Sequence, residues 1–164
     1  MTDVAREVYA KIDTEWKRGI QEYERQTGEA FPCGPGCADC CHASDVTGTF
    51  RETPLSEAEV GLLWETLATL PPEVQALLLE RQRTYYMATC ILLSPEGLCL
   101  AYEGRPLWCR TWGLSGLPTC GKVKRVQIER WSEVVREAHA KLRRDGAFVP
   151  LREVIKRLRE IERR

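Results

Sequence analysis

Apolar side chains recur at steps of three and four from Val4 through Val8, Ile12, Trp16 and Ile20 to Tyr23, with Glu and Arg on the opposite face. That period predicts one long amphipathic helix over about Thr2–Thr27. Thr2 or Asp3 is placed to cap it, and Gly28 to end it. Its stripe is expected to pack on the core or on a second subunit, so a homo-oligomer or protein partner through the N-terminal helix is an expectation here. A second helix starts at Ser56, where Ser56 and Glu59 have capping-box spacing and Leu55 can staple onto Val60; Val60, Leu63, Trp64 and Leu67 form its buried face. Pro71 and Pro72 interrupt the pattern, and a third helix follows from about Pro72 to Met87. Two more stripes close the chain. Trp131, Val134, Val135, Ala138 and Leu142 mark a helix ending at Gly146, and Leu151, Val154, Ile155, Leu158 and Ile161 mark another.

The middle of the chain reads differently. From about Glu29 to Ser44, Pro32, Gly34, Pro35 and Gly36 prevent regular structure and let the backbone wrap closely. Between Cys90 and Tyr102, Pro95-Glu96-Gly97 predicts a turn joining two short extended pieces, a short β-hairpin. Arg105-Pro106 predicts the start of a helical turn, with proline at its first position. The expectation is a mainly α, single small domain of amphipathic helices around a cysteine-bound metal core. Its parts are an N-terminal helix (1–28), a cysteine-cluster core (29–120) and C-terminal helices (121–164).

Length and composition narrow this picture without redirecting it. A chain of 164 residues, 43% apolar and 29% charged, suits one globular domain. The 24 basic and 24 acidic side chains cancel, which gives nucleic acid no basic footprint. Local basic groups at Lys122, Lys124 and Arg125, and at Arg163 and Arg164, read as solvated helix faces. No apolar run is long enough for a bilayer and none resembles a signal-peptide core, so no membrane partner and a cytoplasmic address are expected. Asn is absent, Met is rare, and Glu and Arg are plentiful, as in proteins from hot habitats. Disulfides occur inside such cells, so compartment alone does not exclude them.

The chemistry concentrates in the cysteines. All eight lie between Cys33 and Cys120, and four of them (Cys33, Cys37, Cys40 and Cys41) fall within nine residues. Cysteines serving as small hydrophobes would be scattered at periodic positions. Disulfides between near neighbours rarely meet the required geometry and close short loops, although pairing with Cys90, Cys99, Cys109 or Cys120 stays open. Metal ligation accounts for sulfurs crowded on a tight loop, with more supplied by a second segment.

The run Cys33-x-x-x-Cys37-x-x-Cys40-Cys41, followed by Cys90-Ile-Leu-Leu, Gly97-Leu-Cys99-Leu-Ala-Tyr102 and Arg105-Pro106-x-x-Cys109-Arg110, resembles the YkgJ-like cysteine-cluster family, whose signature is of the CxxCxxCC kind. The resemblance covers Cys33 to Arg110 and seven cysteines; Cys120 and the flanking helices lie beyond it. It implies chelation of zinc or iron and leaves the choice open. Candidate metal ligands are therefore Cys33, Cys37, Cys40, Cys41, Cys90, Cys99, Cys109 and Cys120. Eight thiolates suffice for two closed tetrahedral zinc sites, or for an iron–sulfur cluster with cysteines to spare. Cys33, Cys37 and Cys40 also have a radical-SAM spacing, but the long run of alternating strands and helices those enzymes need is missing. Cys40 and Cys41, adjacent on an extended loop, point in different directions and can serve different metals, or one can ligate while the other packs.

Around these cysteines, Arg105 and Arg110 are candidates to neutralise thiolate charge, or else ordinary salt-bridge residues. Tyr102 reads as core or as a donor to sulfur. His42 is the best nitrogen ligand, although a surface histidine is the plainer reading, and His139 lies in a helix far from the cluster. Asp39 and Asp45 could act as bases on metal-bound water, but paired loop aspartates are common. Trp108, Trp112 and Trp131, with Leu114 and Leu117, read as core around the metal. No Ser-His-Asp order, phosphate loop or His-Glu-x-x-His signature is present, so no catalytic residue is assigned. Zinc is the expected metal, ahead of iron or an iron–sulfur cluster. The rival readings are an iron–sulfur redox protein or enzyme, and a helical interaction module with a scaffolding metal.

Overall fold

In the computed structural model the described residues are 2–34, 36–42, 54–84, 89–112, 114, 122–124, 126–143 and 148–160. Helix α1 (Thr2–Thr27) has the span its periodicity predicts, and Gly28 ends it with φ 68° while its N–H donates to Glu24 O at 2.9 Å. Thr2 and Asp3 already lie inside this helix rather than capping it. A four-residue helix α2 (Asp39–His42) lies inside the cysteine loop, so Cys40 and Cys41 stand on a helical turn where the sequence predicts irregular, extended chain. Then come strand β1 (Pro54–Leu55), α3 (Glu57–Ala68), α4 (Pro72–Thr84), α5 (Leu107–Thr111), α6 (Trp131–Arg143), strand β2 (Val149–Pro150) and α7 (Leu151–Lys156). A 3-10 turn (Arg157–Glu160) continues α7. The chain is mainly helical, as its patterning predicts. The expected third-helix end at Met87, the stop at Gly146 and the last stripe residue Ile161 lie outside the described residues.

Two hydrophobic clusters share α3 as a common wall. On one side Ala58 packs with Ala5, Val8 and Ile12 of α1 and with Trp131, Val134 and Leu142 of α6. On the other, Val60, Leu63 and Leu67 pack with Leu78 of α4, Leu92 and Leu93, and Val154 and Ile155 of α7. The stripe of α1 is thus packed within the chain, which removes the support for that helix as an oligomer or partner face. The exposed large apolar side chains among the described residues (Leu77, Leu98, Tyr102, Trp108 and Phe148) all lie elsewhere. No helix among the described residues is long and apolar enough to cross a membrane.

Two further local expectations need correction. Pro106 stands at the N-cap of α5, not at its first helical position, with φ −58° and ψ 156°. The Cys90–Tyr102 stretch makes only one antiparallel bridge, Leu93 opposite Cys99, closed by Ser94 N–H to Leu98 O at 2.7 Å. The two-stranded sheet instead pairs Pro54 with Pro150 and Leu55 with Val149. Strands of two residues carry no alternation to read, and their partners lie far apart in sequence.

One buried carboxylate joins the helices. The capping box of α3 is formed as its sequence predicts: Ser56 Oγ accepts from Glu59 N–H at 3.4 Å, and Ser56 N–H donates to Glu59 Oε2 at 2.9 Å. Glu59 is only 4% exposed, however, and its carboxylate does more than cap. Oε2 also accepts from Ser56 Oγ at 2.9 Å, while Oε1 accepts from Tyr9 Oη of α1 at 3.1 Å and from Leu107 N–H of α5 at 2.8 Å. Four donors from three elements therefore converge on one acceptor-only group. Burial, then the Glu59 charge, holds the Tyr9 phenol well above its ordinary value of 10.0.

Each Glu59 oxygen receives a backbone N–H, which cannot turn away. In Glu59→Gln one amide orientation sets NH2 against Ser56 N–H and the other against Leu107 N–H. The variant is expected to lose about 2 kcal/mol of unfolding free energy in urea titration, the scale of a buried unsatisfied donor; unchanged stability would refute the network. Tyr9 has a second consequence at high pH. Above about pH 10 the unfolded chain releases the phenol proton while the folded chain retains it, so stability falls as pH rises. Tyr9→Phe should flatten that fall, seen as a smaller difference between unfolding free energies at pH 9 and 11.

Candidate metal centre

The cysteine loop is shaped by its backbone. Cys37 N–H bonds Gly34 O at 3.0 Å and Cys41 N–H bonds Ala38 O at 2.7 Å, so two tight turns follow one another. Ala38 adopts φ 52°, a conformation that costs a residue with a Cβ about 1 kcal/mol. The loop is pinned to the second cysteine segment by Cys90 N–H donating to Cys41 O at 2.8 Å. Gly97, with φ 80°, turns the hairpin back beneath the loop, where an added Cβ would lie 3.6 Å from Gly36 O. Both flanks of the loop are also tied down, by Lys124 to Glu29 at 2.5 Å and by Lys122 to Asp39 at 2.9 Å. These two lysines form ion pairs outside any helix; they are not a solvated helix face.

Cys33, Cys37, Cys41, Cys90, Cys99 and Cys109 all line one cavity of about 330 Å³. The loop, the hairpin and α5 each contribute, so the two distant stretches of chain meet as the cysteine pattern expects. No disulfide joins any two of these six. Among the described residues no three His, Cys, Asp or Glu side chains stand close enough to hold a metal ion. The side chain of Cys40 and all of Cys120 lie outside the described residues, as do Asp45, Leu117, Arg125, Arg163 and Arg164. Trp16 of α1, Leu92, Trp112 and Leu151 complete an apolar wall. Trp16 belongs to a stripe that periodicity assigns to the core; nothing in the sequence marks Leu151 as a neighbour of the cysteines.

The other candidates separate clearly. His42 is exposed and, like Asp39, is not among the residues lining the cavity. His139 lies on α6 with its ring 6.4 Å from that of Trp108. Tyr102 is 47% exposed at the cavity rim, with the Arg105 guanidinium 3.6 Å above its ring; the expectation that it is core is wrong. Trp112 and Trp131 are buried, but Trp108 is 38% exposed and stands outside the cysteine cavity.

Arg110 lines the cavity and is 5% exposed, but its nitrogens are committed to structure. Nη1 bonds both Asp13 oxygens, at 2.9 and 2.8 Å, Nε bonds Arg105 O at 3.1 Å, and Nη2 bonds Glu103 O. The guanidinium also lies 4.1 Å from the centre of the Tyr9 ring. Arg110 thus locks α5, and Cys109 with it, against α1. Of the two roles its sequence position allowed, the salt bridge is the one it fills.

A family model titled CxxCxxCC, "Putative zinc- or iron-chelating domain", matches residues 32–135. The chain belongs to this family. The match extends past Arg110, so it takes in Cys120 and the first residues of α6, both of which the resemblance read from the sequence left out. No curated protein and no solved structure matches the chain. Between its first two cysteines the chain has one residue more than the family title spells, and the turn from Gly34 to Cys37 absorbs it. Family membership supports metal binding, and the donor set around the cavity fits it, since clustered thiols are ligands that both zinc and iron accept.

Lysine keeps the charge of Arg110 but not the planar fork that serves four acceptors at once. Arg110→Lys is therefore expected to lower unfolding free energy by about 1–2 kcal/mol. It should also speed alkylation of Cys109 in metal-free protein, measured by mass spectrometry. An unchanged alkylation rate would separate Arg110 from the placement of Cys109.

Proposed function

We propose that the protein binds zinc through the thiolates around the cavity, and that the metal clamps the Cys33–Cys41 loop to the Cys90–Cys109 segment. The observation that carries this reading is the convergence of six cysteines from three parts of the chain on one enclosure. The Cys41–Cys90 backbone bond already brings the segments together, so the metal would add strength to an interface the fold begins. Zinc supplies redox-inert, tetrahedral coordination, and four thiolates close such a site against substrate. The apolar wall excludes water and slows ligand exchange. Metal binding and the folding of this central region are then one equilibrium. The role is structural, and the setting is cytoplasmic, where thiols stay reduced.

A second reading is favoured by the size of the cavity. Four sulfurs around one zinc ion sit about 3.8 Å apart and leave no space among them. An enclosure of about 330 Å³ lined by six sulfurs has room for an iron–sulfur cluster, which four thiolates hold. A redox role would follow from that cofactor.

Elemental analysis of protein purified without air decides between them. The zinc reading expects a colourless protein with on the order of one or two zinc ions per chain. Cys41→Ser and Cys90→Ser should each lower that content. A chelator should speed hydrogen exchange in the Cys33–Cys41 loop while α1 and α6 stay helical by circular dichroism. Brown protein with iron and acid-labile sulfide would replace zinc by the cluster, and metal-free protein from every preparation would overturn both.

A further inference from the structure

A second cavity, of about 490 Å³, lies beside α5 and α6 and shares none of its lining with the cysteines. Leu107, Trp108, Leu142 and Phe148 supply its apolar walls, and Arg136 and His139, one turn apart on α6, supply its basic groups. Its volume falls within the range of small-molecule sites. Trp108 and Phe148 are 38% and 44% exposed, so two large aromatic rings leave much of their area in water. Arg136 has no ion-pair partner among the described residues, although most arginines and lysines around it do: Lys11 pairs with Glu137, Arg130 with Glu133 and Lys141 with Glu7. Glu59 also touches the cavity, but both its oxygens are occupied by the four donors described above. It therefore offers little to a cationic ligand.

We propose that this cavity is a binding site for a small, flat organic anion, an aromatic carboxylate, whose ring lies between Trp108 and Phe148 and whose carboxylate pairs with Arg136. A flat apolar body covers the aromatic area left in water, and a guanidinium receives a carboxylate through two parallel hydrogen bonds. His139 stands beside Trp108 on the same side of the cavity. The site is independent of the metal reading, because no cysteine belongs to it.

Naphthalene-2-carboxylate titrated into the full chain, with its metal content as purified, tests the proposal by calorimetry and by N–H NMR. The corresponding alcohol and methylamine are the neutral and cationic controls. The acid is expected to bind with a dissociation constant of about a millimolar or tighter. The alcohol should bind about tenfold more weakly, the scale of one charge-assisted contact. Arg136→Gln, a change on an exposed helix face that should leave the thermal midpoint in place, brings the acid to the level of the alcohol. The shifted signals should include the Trp108 indole N–H and the His139 amide. Equal affinity for acid and alcohol, tighter binding of the amine, an Arg136→Gln variant with undiminished affinity, shifts confined to Leu92 and Trp16, or no saturable binding would each overturn it.

Discussion

The Glu59 carboxylate sets the relative positions of α1, α3 and α5. A buried acid is tolerable only when its lone pairs are filled, and here Tyr9, Ser56 and Leu107 fill them from three elements. Two of those bonds come from backbone N–H groups, so the constraint bears on main-chain position and not on side-chain choice. Through Leu107 it fixes the start of α5, the helix that carries Cys109 and Arg110. Arg110 then returns to Asp13 on α1, tying α5 to that helix a second time.

The cysteine-lined cavity takes part of its lining from α5 and so shares these contacts. One wall is α5, held by Glu59 and Arg110. The opposite wall is the cysteine loop, held at its flanks by the Lys122–Asp39 and Lys124–Glu29 pairs and joined to the hairpin at Cys90. Exposed ion pairs contribute little stability singly; their value here is in restricting where the loop can lie. The cysteine-lined cavity thus rests on a frame built largely from side chains other than cysteine. The second cavity borrows the same frame from the other side, since Leu107 and Trp108 are the first residues of α5.

What the sequence by itself determined is local. The period of Val8, Ile12 and Tyr23, the Ser56/Glu59 box and the Gly28 stop fix φ and ψ through near neighbours, and the helices follow them closely. The cysteine spacing pointed to the family for the same reason, because most of its signature lies within one short stretch of chain. Tertiary structure alone decided which distant groups meet. Leu151 joined the cysteine wall, Leu55 paired with Val149, Arg110 chose Asp13, and Trp108 left the core for a second cavity. Those outcomes depend on how whole helices cross, which is set by the sum of many packing contacts and by the few buried polar groups that must be satisfied. No short stretch of residues records that sum.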